Sequence, residues 1–273
     1  MIHSKALEII KGLSKIELHR FERFLESPFF NPNRKLPKLC RVLEKYYPEF
    51  DSAKFTKEDV FRRIYGNEKY NDARLRKVFS DLYKEAERFL VILKLDENKE
   101  MYHQILLGEL DSRKLDNLFF LKYEESNEHL DKGGMQYDYF LEKHLLDWLK
   151  ITFHLERGEQ NKIALQIYER SEHLIFYFLS DLFLTLNDIH ANRRGFNFSH
   201  EPDLPGKFIE CLDVNSFFEF VNKYEIKNKV IVQLYFHAYL MNKNFDKEEY
   251  FFEFKKFAEE NINKFNKFGQ MTL

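Results

Sequence analysis

Nine glycines and six prolines in 273 residues, set against 30 Phe, 15 Tyr and one Trp, leave this chain few ways to turn and much bulk to bury. Tight turns between strands draw on residues that adopt positive φ, which glycine does without steric cost. Helices need such residues only at their ends, and the packing of helix on helix buries large side chains. Apolar residues recur at helical spacing from end to end, and no stretch of strict alternation bounded by Gly turns stands out as a strand. The fold class expected is therefore all-α. With 44% apolar and 32% charged residues, the composition is that of a soluble protein, and the length suffices for a sizeable core without disulfide or metal staples.

Capping signals place the helices. Ser14-Lys15-Ile16-Glu17 matches a capping box, in which the Ser hydroxyl and the Glu carboxylate each satisfy an unpaired backbone N–H. The helix it opens aligns Leu18, Phe21, Phe24 and Leu25 on one stripe, and Ser27 to Asn33, with two prolines and two asparagines, interrupts the chain. A third helix to about Tyr47 turns Leu36, Leu39, Cys40 and Leu43 inward. Thr56 caps a short helix carrying Val60, Phe61 and Ile64 and stopping at Gly66; Asp59 stands where a capping box has Glu. Asn71 caps the next helix, which runs to about Leu95 with Leu75, Phe79, Leu82, Ala86, Phe89 and Leu93 on one side and Arg74, Lys77, Asp81, Lys84 and Arg88 on the other. Beyond Asp96 the spacing predicts helices near 97–112, 116–130, 135–157, 160–192, 206–213, 215–224, 227–241 and 246–264, the 160–192 block being one helix or two.

The net charge of −2 conceals an uneven distribution. Residues 1–95 hold 21 Lys+Arg against 14 Asp+Glu, a net of +7, and residues 96–273 hold 22 against 31, a net of −9. The division expected is a basic helical module over 1–95 and an acidic antiparallel helical array over 96–273. The split either suits the first half to an anionic partner or reflects mutual attraction of the halves or ordinary scatter.

Asp96 to Phe268, with its Tyr235-Phe236-His237-Ala238-Tyr239-Leu240 and Tyr250-Phe251-Phe252 rhythm, resembles tetratricopeptide-like stacks of antiparallel helix pairs, without their strict 34-residue period. That resemblance implies a surface that binds proteins or peptides and carries no catalytic centre. Phe55 to Gly66 followed by Ala73 to Leu82 is similar to the helix-turn-helix of winged-helix bacterial activators. In place of the family's β-hairpin wing, Val91 to Glu97 offers at most one strand before helix resumes. The likeness implies Arg74, Arg76 and Lys77 at the major groove and Arg62 and Arg63 near phosphates, with salt-dependent affinity. The alternative for these cations is a solvated face that pairs with Asp81 or Glu85.

Signals of chemistry are missing. No Gly-rich loop precedes Lys-Ser/Thr, and no HExxH or Cys-rich pair supplies ligand spacing. Adjacent acids such as Glu124-Glu125 diverge by about 100° on a helix and form solvated faces. His144 and His154 stand about 15 Å apart on one helix and cannot share a metal. His190, Asp188 and His200 either converge around Arg193-Arg194 or mark a helix end. No enzyme, cofactor or metal is expected.

Cys40 and Cys211 lie in apolar-periodic stretches and are expected as buried reduced thiols, and Trp148 as a core residue. No signal h-region opens the sequence, and the apolar run Leu174 to Leu186 contains Asp181 and is shorter than a bilayer span, so the expectation is a cytoplasmic protein with no membrane partner. Phe29-Phe30 either anchor a protein partner or fold back as a local plug. Lys267 to Leu273 reads as a turn toward a further helix, as in a fragment. Together these features point to a non-catalytic scaffold or adaptor for an unidentified protein, with a DNA-binding regulator using residues 57–90 as the alternative.

Overall fold

The computed structural model describes residues 2, 4–133, 138–224, 226 and 228–265, and among these thirteen α-helices and no strand occur. The protein is all-α, and it divides into two compact units, Met1–Lys99 and Glu100–Leu273. The turn expected at 267–273 lies outside the described residues.

The first unit contains α1 (Lys5–Gly12), α2 (Lys15–Glu26), α3 (Lys35–Glu44), α4 (Lys57–Tyr65) and α5 (Asp72–Glu97). Four of the five start on a side-chain cap: Ser4, Ser14, Thr56 and Asn71 accept hydrogen bonds from first-turn amides, each such cap contributing about 1 kcal/mol. The box at Ser14 forms in full, with Glu17 accepting from the Ser14 amide at 2.6 Å. At Thr56 only half of it forms, because the shorter Asp59 carboxylate turns instead to Arg62 and Arg63. α5 is the spine, in contact with all four other helices. Its buried Leu75, Phe79, Leu82, Ala86, Phe89 and Leu93 are the stripe read from the sequence. Phe21 of α2, with no exposed surface, packs against Phe89 at 5.1 Å between ring centroids.

α3 ends three residues before Tyr47. The chain there turns through Phe50, whose φ of 56° lets its amide return to the Tyr46 carbonyl and drops its ring into the core. Phe55 follows Phe50 inward, and the Tyr47 hydroxyl donates to the Leu13 carbonyl. The break at Ser27 to Asn33 is organised by Asn31, a buried side chain whose amide donates to the Leu25 carbonyl at 2.7 Å and whose oxygen accepts from the Asn33 amide.

The second unit contains α6 (Lys99–Ser112), α7 (Asp116–Lys132), α8 (Tyr139–Glu156), α9 (Ala164–Phe196), α10 (Leu204–Glu210), α11 (Val214–Lys223), α12 (Val230–Lys243) and α13 (Glu248–Asn261). The 160–192 block is one helix, α9, preceded by a single 3₁₀ turn at Gln160–Lys162. By length and composition alone, α9 could cross a membrane; in this unit it packs along α8 and α12.

α7, α8 and α9 succeed one another as antiparallel neighbours. Phe119 stacks on Phe153 and Asp116 meets Arg157 across the first pair, and Asp147 meets Gln166 and His173 across the second. α12 also packs along α9, to which it is not adjacent in sequence. Phe183 packs on Phe236 and Tyr239, and Asn187 bonds Asn242, so residue numbers rise together and α12 runs parallel to α9. The short helices α10 and α11 occupy the chain between them.

Candidate functional site

Along α9 the apolar run divides by helical face. Phe176, Leu179, Phe183 and Leu186 are buried, while Leu174, Ile175 and Phe178, one turn of neighbouring positions, remain 44–46% exposed. α10 and the start of α11 raise a second wall of Phe208, Leu212, Val214 and Phe217. Phe178 and Phe208 meet edge to face at 5.6 Å. The walls enclose a groove of about 590 Å³ whose one charged lining residue is Asp213. That carboxylate is occupied in capping α11: it accepts from the Ser216 amide and hydroxyl, and these bonds hold its pKa below the usual range. A groove with no converging polar groups can desolvate an apolar partner surface but offers nothing to polarise or protonate a substrate.

The five basic residues expected at nucleic acid lie on α4 and α5. Arg62 and Arg63 share Asp59, each at 2.6 Å. Arg74 pairs with Glu68 and lies over the Tyr65 ring at 4.3 Å, and Arg76 sits 2.9 Å from Asp72. Lys77 is exposed and has no ion pair among the described residues. The cations thus pair with Asp59, Glu68 and Asp72, not with Asp81, whose carboxylate accepts from Asn33; Glu85 meets Arg88 alone, at 3.9 Å.

Phe29 and Phe30 part company. Phe30 stacks on Phe24 at 4.7 Å beneath the Arg88 guanidinium, which also donates to its carbonyl. Phe29 is 83% exposed. Two other expectations fail. Cys211 is exposed, its position at the end of the seven-residue α10 leaving it outside the core, whereas Cys40 is buried and its thiol is pushed up to about 12 by that burial. Trp148 lies on the surface under the Arg170 guanidinium, because the buried face of α8 passes through Phe140, Leu146, Ile151 and Phe153 instead.

The histidines do not assemble. His144 bonds the Arg170 carbonyl and His154 bonds Glu159. His190 lines a polar cavity of about 400 Å³ with Arg193, Asp203, Lys207, Tyr239 and Lys243, without Asp188 or His200. Burial, then the nearby Arg193, Arg194 and Lys243, push its pKa down. Among the described residues no cluster of His, Cys, Asp and Glu is arranged to hold a metal.

Sequence reasoning missed the polar seam inside the second unit. Asp147, buried, accepts from Gln166 and His173 at 2.7 Å each and from the Tyr123 hydroxyl at 3.5 Å. Arg157 joins Asp111 and Asp116 and lies 3.4 Å over the Phe153 ring. Glu142 has its pKa pushed up to about 7 by burial and then by Asp138 and Glu100. The available signal was Lys143, Asp147 and His154 recurring on the buried face of α8.

The structure is that of an all-α protein with an apolar groove on its second unit. No family model matches the chain, and neither a curated protein nor a solved structure matches it.

Proposed function

We propose that this protein is a non-catalytic, cytoplasmic scaffold or adaptor whose helical array binds another protein. The observation that carries this reading is the groove of Leu174, Ile175, Phe178, Phe208, Leu212 and Phe217: a contiguous apolar cleft left open by the unit's own packing. Apolar clefts of this kind accept the anchor side chains of an amphipathic helix, at i, i+3 and i+4 spacing. Large exposed apolar patches on soluble proteins mark such surfaces.

The test is a double variant, Phe178→Glu with Leu212→Glu, both at positions exposed in the isolated chain. Purified from its native host, the wild-type chain carries a stoichiometric protein partner, and the variant, equally helical by circular dichroism, loses it. Recovery of the same partner in the same yield by the variant, or of the wild-type chain alone, refutes the reading.

The DNA-binding alternative draws on the +7 charge of residues 1–95 and on the exposure of Lys77. The carboxylates already on Arg62, Arg63 and Arg74 weigh against it. Duplex binding by the full chain that falls steeply between 50 and 200 mM salt would favour it.

A further inference from the structure

A second cavity, of about 280 Å³, is lined only by residues of the first, basic unit. Its charged lining is Lys5, Lys57 and Arg76 against the single carboxylate of Asp72, a net of +2. Leu75 and Phe79, both buried, give it an apolar floor, and Ser4 and Ser80 add hydroxyls at its rim. The Tyr83 hydroxyl turns to Glu87, leaving the ring as a wall.

Three features give this cavity its chemistry. Asp72 collects Lys57 at 3.1 Å, Arg76 at 2.9 Å and the Tyr70 hydroxyl at 3.0 Å, and these partners hold its pKa down; one carboxylate shared between Lys57 and Arg76 leaves that pair with net positive charge. Lys5 stands 5.8 Å from the Tyr83 ring with no carboxylate in ion-pair reach among the described residues, which leaves one cation uncommitted. Lys5, Lys57 and Asp72 are also the first residues of α1, α4 and α5, so three helices begin at the cavity. Their first-turn amides serve Ser4, Thr56 and Asn71; what they add is the positive end of each helix dipole, a field rather than hydrogen bonds.

We propose that this cavity binds a phosphate monoester carrying a small apolar or aromatic body. The phosphoryl group, with about −1.5 to −2 charge at neutral pH, matches the +2 lining, and the body rests on Leu75, Phe79 and the Tyr83 ring. A nucleic-acid backbone is the poorer fit: of the five basic residues expected at DNA, only Arg76 lines the cavity, while Arg62, Arg63, Arg74 and Lys77 lie outside it.

Calorimetric titration of the full chain tests this with three probes: phenyl phosphate, inorganic phosphate and phenol. Phenyl phosphate is expected to bind one to one with Kd below about 1 mM, inorganic phosphate at least about tenfold more weakly, and phenol not at all. Lys5→Met and Arg76→Gln each weaken phenyl phosphate by about tenfold with helicity unchanged, and Arg62→Gln leaves it unaltered. Absence of binding up to about 10 mM, or equal affinity in wild type, Lys5→Met and Arg76→Gln, overturns the proposal. Displacement of phenyl phosphate by mixed-sequence duplex DNA overturns it as well, assigning the cations to a nucleic-acid backbone.

Discussion

The two units treat their apolar residues and helix ends differently. Among the described residues of the first unit, Ile16, Phe29, Tyr70, Leu90 and Val91 are the large apolar or aromatic side chains left exposed, and four of five helices have side-chain caps. In the second unit exposure runs through nearly every helix, from Met101 and Ile105 on α6 to Phe251 and Phe252 on α13, and α7, α8, α9, α12 and α13 start without a side-chain cap, whereas α10 and α11 have one. The first unit satisfies its ends and its core by local means. The second depends on long helices lying against one another, and where α9, α10 and α11 diverge it leaves a cleft that none of the described residues fills. This open apolar surface is the observation on which the proposal of a protein partner rests.

The sharpest way to break the comparison is to remove one aromatic side chain from each unit. Phe21→Ala opens a cavity beside Phe24 and Phe89 and is expected to cost about 3–5 kcal/mol. Phe178→Ala, already nearly half in solvent and losing chiefly its edge-to-face contact with Phe208, should cost about 1 kcal/mol. Urea unfolding of both variants measures the contrast, and a loss at Phe178 comparable to that at Phe21 would mean the groove wall is core.

Next in size, Arg157→Ala strips Asp111, which is 13% exposed at its side chain, of its cationic partner, with an expected loss of about 3 kcal/mol in the same measurement. An effect below about 1 kcal/mol would show that the seam of the second unit is no more than surface pairing.

The smallest expected effect concerns pH. The Glu142 carboxyl titrates near 7 in the folded protein against an ordinary 4.5, so the folded state holds that proton more tightly than the unfolded chain. Its contribution to stability is therefore full below about pH 4.5 and is lost as the pH rises through about 7. Neighbouring His103 has its pKa pushed down, chiefly by burial and then by His129, and acts in the opposite direction. Subtracting the curve of Glu142→Gln from that of wild type isolates the carboxyl, with a difference of about 2 kcal/mol across the window, the roughly 3.4 kcal/mol of a full rise from 4.5 to 7 being reduced by solvent screening of a half-exposed group. Parallel curves would show that Glu142 ionises freely.

Much of the first unit was legible because its signals are local. A Ser or Asn before an apolar stripe fixes where a helix starts, as at Ser14 and Asn71, and 3.6-residue spacing fixes which side of α5 is buried. Phe50 and Phe55 escaped because they enter the core from an irregular segment, where no periodicity marks them. The same limit applied to Trp148 and Cys211. Each sits among apolar neighbours, but which residue of such a run faces inward depends on where the adjoining helix crosses, a contact between distant parts of the chain. The candidate sites were less legible still. The groove needs α10 and α11 set against α9, and the cationic cavity needs Lys5, Lys57 and Arg76 brought together from three helices.

The sequence by itself determined an all-α chain, most of its helix boundaries and the opposite charges of its two halves, because helix propensity, capping and net charge act over a few residues or none. Tertiary structure decided the parallel course of α9 and α12, the pairing of four arginines with carboxylates, the opening of an apolar groove and the gathering of three cations at one cavity. Those outcomes depend on which surfaces meet after the helices have formed, and side chains far apart in the chain settle them through packing and charge at short range.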